Sequence, residues 1–196
     1  MATFRLGVLA FQGDVLEHIA AAKRAMLNLN TEGEVLEVRT NSHLSGLSAL
    51  VIPGGESTVL QKLCEREGMF EEIKRIKNIF GTCAGAILLA KKVNNSEADQ
   101  RTLGIMDIEV DRNAYGRQMD SFEEDIESEF GKVHAIFIRS PRIRAIGKDV
   151  RVLAKKGNEV LACEQRTAGK FYLACCFHPE LGTTKFHEYF LTQVSR

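Results

Sequence analysis

Apolar strand-like runs alternate with segments of helical periodicity through the first half of the chain, and this alternation restricts the possible folds more than any other feature. The predicted strands cover residues 5–11, 34–39, 49–53 and 79–80, and the predicted helices cover residues 15–29, 57–66, 70–77 and 84–91. The run Ala49-Leu-Val-Ile52 is apolar at every position, as in a strand that is buried on both faces. This half therefore predicts a parallel sheet with helices on both sides.

Strands predominate in the second half of the chain. Strand patterns cover residues 104–110, 133–138, 150–154, 159–163 and 171–177, and a last helix is predicted over 183–194. Turn sequences at 147–149 and 156–158 predict hairpins, whereas the polar segments 94–101 and 123–129 predict loops or solvated faces. We therefore expect a single α/β domain over residues 1–196, with a central, mostly parallel mixed sheet flanked by helices and an antiparallel, strand-rich second half.

The composition argues against nucleic-acid and membrane partners. Lys and Arg together number 26, as do Asp and Glu, so the chain has no net charge with which to attract a polyanion. The apolar run after Arg5 is short, and no later run approaches the length of a membrane span. We expect a soluble, unexported protein of the cytoplasm.

The cysteines fit a reducing compartment and predict no metal site. They number five, and none has the Cys or His spacing of a zinc site. Four of them lie in predicted helices or strands and are expected to be small buried apolar side chains: Cys64, Cys163, Cys175 and Cys176. Only Cys83 lies at a strand-to-helix junction.

Cys83 lies between two glycines, in Gly81-Thr-Cys83-Ala-Gly85. This G-x-C-x-G spacing is the thiol counterpart of the nucleophile elbow, in which a sharp turn exposes the reactive side chain at the carboxyl edge of the sheet. The amino-terminal end of the following helix favours the thiolate. Taken alone, the pattern also fits a core cysteine beside glycines that pack a helix.

His178 and Glu180 supply the base and the orienting group that a thiol nucleophile needs. They lie in Cys176-Phe-His178-Pro-Glu180-Leu, where alternation along an extended chain would bring the carboxylate to the imidazole. On its own, the triplet also fits a surface histidine beside an unrelated carboxylate, or a metal ligand.

Gly54 and Gly55 follow the third predicted strand and precede Glu56-Ser57-Thr58. Backbone N–H groups at such a turn gather around an anion and could stabilise the oxyanion of a tetrahedral intermediate. The alternatives are a phosphate-binding turn or a helix capped by Glu56 or Ser57, although the Gly-Lys-Ser/Thr of a Walker A motif is missing.

These three motifs, at 53–58, 80–85 and 177–181, occur in the order shown by class I glutamine amidotransferases. The residues of these motifs, together with the segments 9–14, 111–122 and 136–141, resemble the glutaminase subunit of pyridoxal 5′-phosphate synthase along the whole chain. The resemblance implies a flavodoxin-like fold and hydrolysis of L-glutamine to L-glutamate and ammonia, with no cofactor and no metal.

The resemblance also implies a role for each motif residue. Cys83 would attack the side-chain amide to form a thioester, His178 would transfer the protons, and Glu180 would orient the imidazole. The implied oxyanion donors are the backbone amides of Gly54, Gly55 and Ala84. The implied glutamine contacts are Gly55, Glu56, Ser57, Arg112, Ile138 and Arg139, of which Arg112 suits the α-carboxylate.

A partner follows from the same resemblance, namely a (β/α)8-barrel synthase subunit that receives the ammonia. Gln12 matches a family position near the docking surface and the active site. Two other interpretations remain open at the level of the sequence. A glutaminase subunit that serves another synthase would keep the same triad, whereas a peptidase or a redox-sensing thiol protein would not turn over glutamine.

Overall fold

A computed structural model describes residues 3–96, 99–112 and 121–195, which contain twelve strands, six α-helices and one 3₁₀ helix (Asn41–Leu44). The strands are β1 (Phe4–Leu9), β2 (Gly33–Val38), β3 (Ala49–Ile52), β4 (Asn78–Thr82), β5 (Ala90–Asn94), β6 (Met106–Asp111), β7 (Ser121–Ser128), β8 (Gly131–Ile138), β9 (Arg142–Ile146), β10 (Val150–Lys156), β11 (Glu159–Thr167) and β12 (Lys170–Cys175). The helices are α1 (Val15–Asn28), α2 (Ser57–Arg66), α3 (Phe70–Ile73), α4 (Ala84–Leu89), α5 (Pro179–Gly182) and α6 (Lys185–Val194). No helix in these ranges is both long and apolar enough to cross a lipid bilayer.

The described strands form one mixed sheet. Its main path is β2-β1-β3-β4-β12-β11-β10-β7-β8, and β9, β6 and β5 form an arm that starts from β11. Pairing is parallel from β2 to β12 and antiparallel from β12 to β8. The predicted α/β fold, with a mostly parallel central sheet and an antiparallel second half, is confirmed.

Helices cover both faces of the parallel strands, as the apolar run in β3 predicts. Leu50 and Ile52 of β3 pack in the core beneath α2, α3 and α4, whereas Ala49 and Val51 pack in the core beneath α1 and α6. All four side chains are fully buried. Because successive side chains of a strand point to opposite faces, a strand between two helical layers is apolar throughout.

The predicted helix 84–91 is too long. α4 ends at Leu89, and β5 begins at Ala90 because the following residues pair in parallel with β6. Lys91 and Lys92 therefore form ion pairs of 2.9 and 3.1 Å with acidic side chains of β6 rather than covering a helix face. α3 and α6 are likewise shorter than the predicted helices 70–77 and 183–194.

In the second half, the solvated face predicted for 123–129 is present but belongs to a strand, and the hairpin predicted at 147–149 is wrong. Residues 123–129 lie mostly in β7, which forms a hairpin with β8, buries Ile126 and stacks Phe122 on Phe137. The acidic side chains between these apolar ones hide the alternation of the strand. The turn at 147–149 joins β9 to β10 but makes no hairpin, because β9 pairs with β6 and β11 instead.

The four cysteines predicted for the core are buried. Burial raises the pKa of Cys64 and Cys176 to about 12 and raises the pKa of Cys163 and Cys175 well above the ordinary value. These thiols are therefore protonated at neutral pH and are unsuited to nucleophilic attack.

The carboxyl ends of β1, β3, β4 and β12 lie at one edge of the parallel half of the sheet. The loops after these strands carry Gln12, Gly54, Cys83 and His178, respectively. In an open α/β sheet this is the edge at which ligands bind. The fold thus brings segments that are far apart in the sequence to a common site.

Close backbone packing explains both glycines that flank Cys83. A Cβ on Gly81 would lie 2.6 Å from the carbonyl carbon and oxygen of Gly85, and a Cβ on Gly85 would lie 2.0 Å from the carbonyl oxygen of Ile52. The first turn of α4 therefore rests directly on the ends of β3 and β4. Any larger side chain would push the helix, and Cys83 with it, away from the sheet.

We predict that Gly85→Ala lowers the free energy of unfolding by about 3 kcal/mol or more, because the new methyl group meets backbone that cannot move aside. Urea denaturation of the two proteins measures this difference. Gly68→Ala is the control, since a Cβ there meets nothing within 4 Å and only the positive φ of 67° is strained, at a cost of about 1–2 kcal/mol. Equal losses in the two variants would contradict the packing argument.

Candidate active site

Cys83 has an unusual backbone conformation, with φ 49° and ψ −107°. Its N–H donates to the carbonyl of Cys175 in β12 over 2.9 Å, and its carbonyl accepts from Ile87 in α4 over 3.2 Å. Such a conformation costs about 1–3 kcal/mol in a residue other than glycine and persists only where its surroundings enforce it. The side chain lies 5% exposed at the base of a cleft, where Sγ donates weakly to the carbonyl of Ile138 over 3.7 Å.

His178 follows β12 and contacts Glu180 directly, with 2.8 Å between Nδ1 and Oε1. The predicted pair is present, but the route to it differs from the extended chain expected. Pro179 begins α5, so one helical turn brings Glu180 back to the ring. The backbone N–H of His178 donates to Ile136 in β8 over 2.8 Å, which ties this turn to the antiparallel half of the sheet.

The charges of this pair are mutually stabilised. Burial by itself would lower the pKa of His178, but interactions with Asp14, Cys83 and Glu180 outweigh it and raise that pKa well above the ordinary value. Burial would likewise raise the pKa of Glu180, but His18 and His178 bring it well below the ordinary value. An imidazolium beside an ionised carboxylate is therefore favoured, and Nε2 of His178 has no hydrogen-bond partner among the described residues.

The two glycines after β3 lie beside the histidine ring and the cleft. A Cβ on Gly54 would lie 2.4 Å from Cε1 of His178, so only glycine leaves room for the ring. Gly55 has φ 124° and lines the cleft. Ala84 is the first residue of α4, where the backbone N–H has no acceptor within the helix. Gln12 donates from Nε2 to the carbonyl of Glu56 over 2.7 Å and thus braces this loop from outside.

The predicted glutamine contacts form a connected polar wall. Nη2 of Arg112 lies 2.8 Å from Oε1 of Glu56. Gln100 links Ser57 to Arg112, because its Nε2 donates to Oγ of Ser57 over 2.9 Å and its Oε1 accepts from Nη1 of Arg112. The carboxylate of Glu56 also caps α2 by accepting from the N–H groups of Thr58 and Val59. Burial would raise the pKa of Glu56, but these backbone bonds and Arg112 lower it.

A cleft of about 440 Å³ brings most of the predicted residues together. The predicted residues that line it are Gln12, Gly55, Glu56, Ser57, Cys83, Arg112, Ile138, Arg139 and His178. Gly54, Ala84 and Glu180 are buried and do not line the cleft surface. Residues 113–120, which form most of the segment 111–122 that resembles the glutaminase subunit, lie outside the described residues.

The sequence model of the SNO glutamine amidotransferase family matches residues 8–196. The chain belongs to this family. It is similar to pyridoxal 5′-phosphate synthase subunit PdxT of Thermus thermophilus, at 46% identity over 193 residues and 95% of each protein. It is also similar to PdxT of Oenococcus oeni, at 44% identity over 195 residues and 96% of each protein.

A solved structure supports the same assignment. The crystal structure of a glutamine amidotransferase matches the chain with a TM-score of 0.83 and 43% identity, covering 97% of this chain and 99% of the other. The fold, like the family model, therefore indicates a glutamine amidotransferase.

Sequence reasoning missed one carboxylate in the cleft of this amidotransferase. Oδ2 of Asp14 lies 2.9 Å from Nδ1 of His178, so this ring nitrogen faces Asp14 and Glu180 together. Asp14 is the residue before α1, and its position beside Gln12 and Gly13 at the carboxyl end of β1 was the signal available in the sequence. Asp14, His178 and Glu180 also bring potential metal ligands within 4.8 Å of one another, but a proton on Nδ1 already accounts for both short contacts.

We predict that Asp14→Asn lowers the pKa of His178 by about one unit, because a carboxylate that stabilises the imidazolium is replaced by a neutral amide. NMR titration of the ring carbons, in a Cys83→Ser background that removes the thiol, measures this pKa. Glu17→Gln is the control, since Glu17 is an exposed acidic residue in the first turn of α1. An unchanged titration of His178 in Asp14→Asn would show that Asp14 does not interact with the ring in solution.

Proposed function

We propose that this chain is the glutaminase subunit of a pyridoxal 5′-phosphate synthase, and that its glutaminase domain spans residues 1–196. It hydrolyses L-glutamine to L-glutamate and ammonia and delivers the ammonia to a (β/α)8-barrel synthase subunit in the cytoplasm. Family membership and the PdxT relatives support this function. The observation that carries it is the strained Cys83, held at the base of a cleft beside the His178–Glu180 pair.

Binding of glutamine is assigned to the polar wall of the cleft. Arg112 pairs with the α-carboxylate of the substrate, and Glu56, Ser57 and Gly55 complete the contacts around its α-carbon. Ile138 and Arg139 also line the cleft and are assigned to the same substrate. The ion pair between Arg112 and Glu56 holds the guanidinium in place before substrate arrives, which reduces the entropy lost on binding.

In the first half-reaction, Sγ of Cys83 attacks the amide carbon of the glutamine side chain. Nε2 of His178 takes the thiol proton before the attack, which leaves a thiolate beside the imidazolium, since Nδ1 is occupied by Glu180 and Asp14. The backbone amides of Gly54, Gly55 and Ala84 stabilise the oxyanion of the tetrahedral intermediate. The C–N bond then breaks, His178 returns the proton to the leaving ammonia, and a thioester remains on Cys83.

In the second half-reaction, water attacks the thioester. His178 takes a proton from this water, the C–S bond breaks, and the proton is passed to the sulfur as glutamate leaves. Glu180 stays ionised in both halves and stabilises the imidazolium each time it forms. No redox partner and no bound cofactor enters this balance.

Docking of the synthase subunit is assigned to the surface around Gln12. Its side chain joins the loop after β1 to the carbonyl of Glu56, next to Gly55. Leu16 and Val59, in the first turns of α1 and α2, are 69% and 43% exposed and add apolar area to the same side. A partner that contacts Gln12 would therefore act on the loop that supplies the oxyanion donors.

We predict that glutamate release from glutamine rises sharply when a cognate barrel subunit is added to the chain. Cys83→Ser and His178→Asn abolish this activity, with losses of at least about 1,000-fold, whereas Glu180→Gln reduces it without eliminating it. Enzymatic assay of glutamate measures each rate, and circular dichroism checks folding.

Cys176→Ser is the matched control for the nucleophile, because this buried thiol bonds to the carbonyl of Val160 and does not line the cleft. It should keep most of the activity. Release that the partner does not change would reassign the ammonia to another synthase. Turnover by Cys83→Ser, or no turnover by the wild-type complex, would refute the glutaminase mechanism.

A further inference from the structure

Two histidines are buried directly behind the proposed triad. His18 in α1 is 0% exposed and His187 in α6 is 1% exposed. The reaction as proposed uses neither of them. Burying an imidazole costs free energy unless its nitrogens are hydrogen-bonded, so each of these rings requires an account of its partners.

His18 contacts the oxygen of Glu180 that His178 does not use. Its Nε2 lies 3.2 Å from Oε2 of Glu180 and 3.0 Å from Oγ1 of Thr82, and its Nδ1 lies 3.0 Å from Nε2 of His187. The contact with Thr82 has the geometry of a hydrogen bond, whereas the contact with Glu180 is close but poorly aligned for one. The carboxylate of Glu180 thus lies between two imidazole rings.

The contacts select one tautomer for each ring. Nδ1 of His187 has no partner among the described residues, and an unpaired acceptor is more readily tolerated in a protein interior than an unpaired N–H. His187 therefore carries its proton on Nε2 and donates to Nδ1 of His18. His18 then carries its proton on Nε2, which faces Thr82 and the carboxylate.

The proton on Nε2 of His18 matters because the carboxylate that it faces is buried. Glu180 is 4% exposed, and its Oε2 has no aligned hydrogen bond in the described parts of the chain. His18 is the first of the groups that lower the pKa of Glu180 against the effect of burial. His187 stays neutral, because burial and the neighbouring His18 lower its pKa to about 3. Three other charged or titratable groups surround these two histidines and Glu180. Asp14 and His178 lie on the cleft side, and Arg24 of α1 lowers the pKa of His187.

We propose that His18 is a positioning residue for the glutaminase reaction, which fixes the carboxylate of Glu180 from the side opposite His178. Nε2 of His18, itself fixed by its contact with Thr82, lies 3.2 Å from Oε2, and this contact keeps Oε1 in line with Nδ1 of the base. This inference rests on the proposed function. His18 does not line the cleft and touches no substrate in this account.

One helical turn at the start of α1 supports both members of the pair. Asp14 contacts His178, and His18, four residues later, contacts Glu180. The N–H of His18 donates to the carbonyl of Asp14 over 3.0 Å, which closes this turn. The spacing Asp14-x-x-x-His18 therefore places a carboxylate at the base and an imidazole at its orienting group.

Two substitutions at residue 18 separate positioning from packing. The amide nitrogen of His18→Gln lies the same number of bonds from Cβ as Nε2, so it retains the donor toward Glu180. The amide of His18→Asn instead matches Nδ1, so it retains the contact with His187 and loses the donor. We expect His18→Asn to lower kcat by about 10- to 100-fold with KM nearly unchanged, by analogy with the outer partners of metal ligands. His18→Gln should remain several-fold faster than His18→Asn.

The assay uses the chain with its synthase partner, and the wild-type complex is measured beside both variants. If the wild-type complex releases no glutamate, the proposed function fails. If it is active and His18→Asn is at least as active as His18→Gln, the ring has only a packing role and the positioning proposal is overturned.

NMR of the Cys83→Ser chain, with ring ¹⁵N labels in histidine, tests the same arrangement without a substitution at residue 18. The expected result is a neutral or doubly protonated His18 that carries a proton on Nε2, with a His187 that carries one on Nε2 alone. A His18 protonated only on Nδ1 would place a lone pair against the carboxylate and would overturn the proposal, even if both variants failed to fold.

Discussion

The left-handed backbone of Cys83 is the constraint on which the rest of the site depends. The sheet enforces this conformation, because the N–H of Cys83 is bonded to β12 and the following turn of α4 lies against Ile52 without room for a methyl group. Strain at one residue is thus offset by packing that involves the ends of three strands. The result is a thiol at a fixed position on the carboxyl edge, where the loops after β1, β3 and β12 converge on it.

The titratable groups of the site surround one buried carboxylate, that of Glu180. Glu180 has an imidazole on each side, and the imidazole nearer the cleft has a second carboxylate, Asp14, at the same nitrogen. Burial alone would neutralise Glu180 and His178, so their charges persist only because they are paired. Nε2 of His178 has no partner among the described residues and is therefore available to the thiol. The side chains that support the ring come from α1, α5 and α6.

Local patterns were sufficient to predict the parts of the fold and site that depend on local geometry. The buried strands, the helices after them and the Gly-x-Cys-x-Gly turn follow from apolar periodicity and from glycine, so the parallel half of the sheet was predicted correctly. β5 and β7 were missed because charged side chains obscure their patterns, and the ion pairs that explain Lys91 and Lys92 lie on another strand.

The supporting residues of the site could not be found in this way. Asp14 and His178, like His18 and His187, are separated by more than 160 residues, and nothing in either segment alone indicates the other. Within a helical pattern, His18 simply reads as a residue on the buried face of α1. Gln100 was missed for a similar reason, because its partners Ser57 and Arg112 belong to different motifs.

The central claim is that Cys83 is the nucleophile for the side-chain carbonyl carbon of glutamine or its equivalent. The most direct measurement is peptide mapping by mass spectrometry after reaction of the assembled complex with a glutamine analogue that carries a diazoketone in place of the amide. The account predicts a single adduct on Cys83, with loss of activity in proportion to labelling and protection by excess glutamine. An adduct on any other cysteine, or full labelling of Cys83 with glutaminase activity retained, would contradict it.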